Sequence, residues 1–169
     1  MARQGLLRGQ VVVRARLACL VAAGVTAVSP APGRAGEHDL VLGLGASTQT
    51  GVGRGAGGGV GGVASLEWSA IPDRVSLELG GEATREAGRA AVSVGLLVEA
   101  PVPLGPRLEL MVGLGPVLVH ARGATVVGGE LALEVMAFAG WLGCFAEASL
   151  ERVGGASTAG FALGPLVAF

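Results

Sequence analysis

The last twelve residues of the chain read Thr158-Ala-Gly-Phe-Ala-Leu-Gly-Pro-Leu-Val-Ala-Phe169. Counted back from the end, every second residue is large or rigid and apolar, and the residues between them are mostly small. A period of two is the signature of a β-strand with two different faces. We therefore predict a closing strand at residues 158–169, with one face formed by Phe161, Leu163, Pro165, Val167 and Phe169.

The composition agrees with a sheet protein. The chain has 169 residues, enough for one domain, and 51% of them are hydrophobic while only 15% are charged. It contains 31 glycines, which are scattered among short apolar runs. Many turns between short strands explain such a distribution better than a bundle of helices does.

Residues 1–35 read as a secretory signal peptide, followed by a single domain at 36–169. Four arginines precede an apolar stretch at residues 17–28, and the small residues Gly33 and Ala35 suggest cleavage before Gly36. The alternative, a membrane anchor, is disfavoured because the apolar stretch is well short of the ~20 residues that a spanning helix needs.

Removal of this leader makes the protein acidic. Five of the 12 basic residues and none of the 13 acidic residues lie in 1–35, so the remainder carries 7 against 13, a net charge of −6. This balance argues against nucleic-acid binding. Only Cys144 remains of the two cysteines, so no internal disulfide is expected.

Alternation of apolar with small or polar residues predicts seven more strands before the closing one. They cover residues 39–47, 63–70, 75–82, 90–100, 107–120, 130–139 and 142–151. Short connections at 71–74, 101–106 and 140–141 alternate with longer ones at 48–62, 83–89, 121–129 and 152–157. The glycine-rich segment 48–62 lacks the Gly-Lys-Ser/Thr ending of a phosphate loop, so we interpret it as a surface loop.

Six glutamates of these strands fall opposite the Leu/Val face: Glu67, Glu78, Glu99, Glu109, Glu134 and Glu147. A register slip of one residue would exchange the two faces, and a charge that faces lipid is costly. Alternation alone does not say which face is inside. The signal peptide, the small and charged second face and the terminal Phe together favour a barrel with its apolar face outward in a membrane. Spanning helices are disfavoured, because no uncharged run beyond residue 35 reaches 18 residues.

A carboxyl-terminal Phe on such a strand resembles the last strand of bacterial outer-membrane β-barrel proteins. Together with the alternation and the turn spacing, residues 39–169 resemble the small barrels of Gram-negative outer membranes. The resemblance implies an all-β, eight-stranded, antiparallel up-and-down transmembrane barrel with both chain ends in the periplasm. It also implies contact with outer-membrane lipids and with the barrel-assembly machinery, for which Phe161, Leu163, Val167 and Phe169 would form the assembly signal.

A barrel of eight strands is just wide enough to be filled by side chains, so we do not expect an open porin. We expect a structural, envelope-integrity or surface-interaction role. The alternative is a soluble periplasmic β-barrel that binds a small apolar ligand, with its apolar face inward. One departure from the family is the small number of aromatic residues available for girdles at the membrane interfaces.

No catalytic or cofactor-binding residue is predicted. Barrel-type lipid A deacylases place a His two residues before a Ser, whereas Ala121 and Arg122 follow His120 here. Cys144 is interpreted as a small hydrophobe. The basic residues of the predicted extracellular loops would lie near anionic lipopolysaccharide or would simply be solvated; they are Arg54, Arg85, Arg89, Arg122 and Arg152.

The short hairpins place glutamates opposite one another across the ladder. The pairs that follow from the turns are Glu67 with Glu78, Glu99 with Glu109, Glu134 with Glu147, and Glu130 with Glu151. Like charges in these positions are unfavourable, and a narrow lumen screens them poorly. We predict an acidic belt whose charge is relieved by protons, by trapped water or by a bound divalent cation, unless strand stagger separates the carboxylates. The predicted cation ligands are Glu67, Glu78, Glu99, Glu109, Glu134 and Glu147.

Overall fold

The computed structural model describes residues 39–52, 57–86 and 88–169. The predicted signal segment, His38 and Arg54 lie outside these residues. The described chain forms eight strands: β1 Leu40–Val52, β2 Gly58–Ile71, β3 Val75–Glu86, β4 Arg89–Gly105, β5 Leu108–Ala121, β6 Ala124–Ala139, β7 Leu142–Val153 and β8 Ala156–Ala168. Each strand pairs antiparallel with the next, and β8 pairs with β1 to close the barrel. The predicted fold class and strand number are confirmed.

The alternation in the sequence sets the two faces of the wall. On β5, Leu114 and Leu118 are exposed on the outside, while Met111, Gly113 and Val117 are buried toward the lumen. The same rule holds on β4, where Val94, Leu96 and Val98 are exposed. Large apolar side chains therefore cover the outside of the barrel, in the arrangement that the sequence predicted.

The sequence predicted four longer connections between strands, and their predicted lengths are wrong wherever the structure describes them. Two-residue turns at Arg122-Gly123 and Gly154-Gly155 replace two of the loops, and every one of these residues has a positive φ. Turns of this kind match the right-handed twist of their strands. The strands consequently extend into the segments that were interpreted as loops, including most of residues 48–62.

The closing seam joins the first strand, β1, to the last strand, β8. The backbone N–H of Phe169 donates to the carbonyl of Leu40 over 2.9 Å, and that of Asp39 donates to the carbonyl of Phe169 over 3.1 Å. The predicted closing strand is therefore present. Phe161 and Phe169 are exposed on its outer face, and Leu163 and Val167, on the same face, are half-buried.

The lumen is packed with apolar side chains on one side. A buried cluster there includes Met111, Met136, Phe138, Phe145 and Leu166. The two small cavities beside it have volumes of about 40 Å³ and about 20 Å³. A water molecule needs at least about 10–15 Å³ of such volume, so these cavities have room for only a few waters. No helix in the described part of the chain is long and apolar enough to cross a membrane.

Candidate functional site

The most unusual feature of the barrel is an acidic lumen. Glutamates from six of the eight strands face inward, where they line the two cavities or meet between them. They are Glu67, Glu78, Glu82, Glu99, Glu109, Glu130, Glu134, Glu147 and Glu151. Serines and glycines fill much of the remaining space around the larger cavity. The predicted inward position of the glutamates in these strands is therefore confirmed.

These carboxylates have no basic partner inside the wall. Every arginine that the structure describes is exposed, and so is His120. The side chains that donate to them are neutral: the Gln49 amide Nε2 donates to Glu82, the Ser76 hydroxyl to Glu67, and the Ser149 hydroxyl to Glu147. The barrel therefore encloses a concentration of carboxyl groups with no basic side chain beside them among the described residues.

Three of the four predicted glutamate pairs are confirmed. Glu67 lies opposite Glu78, Glu134 opposite Glu147, and Glu130 opposite Glu151. The first pairing survives although the turn has three residues instead of two. A register shift beside Ile71 absorbs the extra residue, and Asp73 takes a positive φ of 58° in that turn.

The fourth predicted pair is wrong. Glu99 lies opposite Gly113, and Glu109 lies opposite Pro103. The sequence placed a turn around Leu104 because prolines flank that residue. The structure instead continues β4 to Gly105 and turns at residues 106–107. The partner of Glu99 is therefore Gly113, two inward-facing positions further along β5 than the predicted Glu109. Proline is tolerated in this part of the strand, which ends beside the turn.

The predicted belt divides into separate groups. One carboxylate oxygen from each of Glu78, Glu99 and Glu134 lies within 4.8 Å of the other two, and all three residues are buried. Glu67 and Glu109 line the smaller cavity together with Asp73. Glu147 lines the larger cavity. The structure therefore brings three of the six predicted cation ligands together and does not bring the other three into that group.

Our list of cation ligands omitted three inward carboxylates, Glu82, Glu130 and Glu151. The signal that could have identified Glu82 is present in the sequence, because the alternation through Glu78 and Gly80 continues to residue 82. Glu130 and Glu151 were predicted as an opposed pair but were not included as ligands. They line the larger cavity with Glu82.

The predicted basic residues gather at one end of the barrel. Arg85, Arg89, Arg122 and Arg152 are exposed and lie in or beside the turns that follow β3, β5 and β7. We refer to these four residues as the arginine rim. Because consecutive strands run in opposite directions, these turns share the end of the barrel away from Phe169. That end carries strand tips and tight turns where long loops were expected.

Two further residues were singled out in the sequence. His120 Nδ1 lies 2.9 Å from Thr125 Oγ1 across the β5–β6 pair, at the same end as the arginine rim. Cys144 is a half-buried free cysteine on the outer face of β7. Neither of them lines the cavities of the acidic lumen.

Comparison with solved structures reveals the same architecture in proteins of very different sequence. Neisserial surface protein A superposes with a TM-score of 0.67 at 13% identity, over 78% of this chain and 97% of that chain. Ail, the attachment invasion locus protein of Yersinia pestis, gives 0.62 at 8% identity, over 79% of this chain and 99% of that chain, in a complex with the heparin analogue sucrose octasulfate.

A third solved structure, the N-terminal β-barrel domain of Pseudomonas aeruginosa OprF, gives a TM-score of 0.55 at 14% identity. It covers 76% of this chain and 98% of that domain. The fold is that of the small outer-membrane β-barrels. No protein-family model matches the sequence, and no curated protein matches it. At these identities the similarity establishes the eight-stranded barrel fold only. The role of the protein must be inferred from its own residues.

Proposed function

We propose that the protein is exported by its N-terminal signal to the outer membrane of a Gram-negative bacterium, where it has a structural or surface-interaction role. The observation that carries this proposal is the distribution of polarity across the wall. Exposed Leu, Val and Phe side chains surround the barrel, and the strand glutamates face inward. A soluble monomer rarely exposes more than a few hundred Å² of continuous apolar surface, whereas lipid requires such a belt.

The height of the barrel suits a bilayer. A strand of 13 residues such as β1 is ~43 Å long, and at a tilt of ~40° it rises ~33 Å along the barrel axis. Membrane barrels present an apolar band of about 25 Å between their interfaces. The strands are therefore long enough to carry this band with one polar turn region at each end.

Aromatic residues support an orientation in the membrane. Trp68 and Trp141 lie near the β2–β3 and β6–β7 turns, at the end of the barrel where Phe169 closes the chain. Trp and Tyr favour the level of the lipid headgroups. We infer that this end lies at a membrane interface. The resemblance to outer-membrane barrels, which places the chain ends in the periplasm, assigns it to the periplasmic interface and the arginine rim to the outer surface.

The composition of the lumen distinguishes this proposal from a soluble ligand carrier and from a porin. A carrier of small apolar molecules needs an apolar cavity, but both cavities beside the core are small and lined by carboxylates. A third cavity, of about 140 Å³, is lined by Gln49, Thr84, Thr158, Ala91 and glycines and is not apolar either. An open pore needs a continuous water path, but Met111, Met136, Phe145 and Leu166 pack across one side of the interior. We propose neither of those functions, and no enzymatic one.

Cell fractionation tests the proposal. We expect the protein in the outer-membrane fraction, released only by detergent, with a gel mobility that changes on boiling because folded membrane barrels resist dodecyl sulfate. Recovery in the osmotic-shock fluid without detergent would contradict it and would favour the soluble carrier.

We further propose that the arginine rim contacts anionic groups of lipopolysaccharide. Arginine binds phosphate through paired N–H donors, and each basic residue near an anionic membrane surface contributes about 1 kcal/mol. The end of the barrel near Phe169 carries Arg74 and Arg107, but there Asp39 and Asp73 balance them. The complex of Ail with a heparin analogue is a case in which a barrel of this fold meets a polyanion.

Two double variants with the same loss of charge test the rim. Arg85→Gln/Arg152→Gln is expected to weaken binding of the purified barrel to lipopolysaccharide by about thirty-fold, equivalent to about 2 kcal/mol. The control, Arg74→Gln/Arg107→Gln, should bind as the unaltered protein does. Isothermal titration calorimetry in detergent at low salt measures both. Equal losses in the two variants would show that net charge alone is responsible.

A further inference from the structure

Three carboxylates from three strands meet in the middle of the lumen. Glu78 comes from β3, Glu99 from β4 and Glu134 from β6, and one oxygen of each lies within 4.8 Å of the other two. Two oxygens bound to the same Ca²⁺ at 2.3–2.6 Å lie at most about 5 Å apart. The spacing is therefore one that a single ion can bridge without movement of the barrel wall.

Glu99 provides an independent sign that a partner is required. Its side chain is only 2% exposed, neither carboxylate oxygen has an N–H or hydroxyl donor in the described part of the chain, and its hydrogen-bonding neighbour is the Glu78 carboxyl of the same group. Its neighbours in the group are two other carboxylates. Burial of an ionised carboxylate without a donor or a counter-charge is strongly unfavourable, so such groups are normally protonated, paired or bound to a metal.

A glycine allows Glu99 to reach this position. Gly113 lies opposite Glu99 on β5, and a Cβ atom at residue 113 would be 2.9 Å from Glu99 Oε1 and 3.0 Å from Glu99 Cγ. On the other side of β5, Glu134 pairs with Met111, the next inward residue. Because Gly113 has no side chain, the Glu99 side chain can extend over β5 toward Glu134.

We propose that Glu78, Glu99 and Glu134 form a binding site for a divalent cation, with Ca²⁺ as the best match. The ligand set contains only carboxylate oxygens, which suit Ca²⁺ and Mg²⁺. Mg²⁺ demands near-ideal octahedral geometry and keeps several waters, whereas Ca²⁺ accepts a flexible set of carboxylate oxygens such as three glutamates held on separate strands. The adjacent 40 Å³ cavity, lined by Glu78 and Glu147, can supply water ligands.

The bound ion would link β3, β4 and β6 across the lumen and so stabilise the folded barrel. This inference goes beyond the proposed function and does not depend on it, because the site requires only the barrel. Failure of the membrane proposal would appear in fractionation, and failure of the cation site would appear in titration of the purified protein.

The test uses the purified full-length protein in detergent micelles free of lipopolysaccharide, after treatment with EDTA and desalting. Titration calorimetry with CaCl₂ at neutral pH is expected to give one ion per barrel. At a Ca²⁺ concentration about 100 times the Kd, the melting temperature should rise by about 10 °C. MgCl₂ should bind more weakly.

Variants locate the site. Glu99→Gln should weaken Ca²⁺ binding at least tenfold, and Gly113→Ala should weaken it while leaving every carboxylate in place. The matched control is Glu109→Gln, which alters another buried lumenal glutamate outside the group and should bind Ca²⁺ normally. The unaltered protein gives a direct answer through its stoichiometry even where a variant folds poorly.

Three results would overturn the proposal. The first is the absence of saturable Ca²⁺ uptake at millimolar concentration. The second is an equal loss of affinity in Glu99→Gln and Glu109→Gln, which would indicate diffuse attraction to an acidic lumen. The third is a melting temperature that rises on acidification but is unchanged by Ca²⁺ at neutral pH, which would show that protons alone neutralise the group.

Discussion

Deletion of Phe169, or its replacement by Ser, is expected to remove nearly all of the protein from the outer membrane. The Phe169 side chain is 64% exposed and points outward from the seam, so it contributes little packing to the folded barrel. Its backbone joins β8 to the start of β1. A large loss from the membrane would therefore reflect recognition during assembly, as the resemblance to outer-membrane barrels implies.

Two controls separate recognition from stability. Phe169→Tyr keeps an aromatic ring at the terminus and should be assembled normally. Phe169→Ser, purified in denaturant and refolded directly into detergent, should reach the same folded fraction as the unaltered protein. Membrane levels of the deletion variant close to normal would show that the terminal residue is an ordinary part of an edge strand.

Leu114→Arg is expected to destabilise the membrane-inserted barrel by about 2–4 kcal/mol. Leu114 lies near the middle of β5 and is 67% exposed on the outer face, where its partners across the ladder are Val98 and Leu131. In a bilayer this position faces the lipid core, and a cation there loses its hydration. In a soluble barrel the same side chain would face water, and the substitution would be close to neutral.

Unfolding in denaturant from lipid vesicles measures this effect, with Leu114→Ile as the control of similar size. The control should differ from the unaltered protein by less than about 1.5 kcal/mol. An arginine variant as stable as the isoleucine variant would show that residue 114 does not face lipid.

Most of the wall could be predicted from the sequence because a strand has a period of two. Once Leu114 and Leu118 are assigned to one face, Glu109 and Gly113 must lie on the other. The pairings on either side of Gly140-Trp141 followed for the same reason, since a two-residue turn fixes the sum of the paired residue numbers. The agreement extends to Glu134 with Glu147 and Glu130 with Glu151.

Predictions were wrong where a local signal had two structural meanings. Arg122-Gly123 and Gly154-Gly155 were interpreted as parts of longer loops, although Gly-Gly between alternating segments is also typical of a tight hairpin. The prolines at 101, 103 and 106 suggested a turn that β4 bypasses. In both cases, pairing with the neighbouring strand outweighed the local preference for a loop.

The grouping of Glu78, Glu99 and Glu134 could not be predicted by pairing rules. None of the three is the direct partner of another, and Glu99 and Glu134 lie on strands separated by β5. Their meeting depends on the stagger of the closed barrel and on the space at Gly113. Both are properties of the assembled wall, and neither is visible in any one hairpin.

A cysteine scan along β5 tests the central claim, that the apolar face is outward in lipid, most directly. Cys144 is changed to Ala, single cysteines are placed at each position from 110 to 118, and nitroxide labels are attached to the protein in lipid bilayers. Collision with oxygen should peak at residues 110, 112, 114, 116 and 118, with the deepest position near 114. Even-numbered labels that collide mainly with a water-soluble nickel reagent would contradict a membrane-spanning barrel.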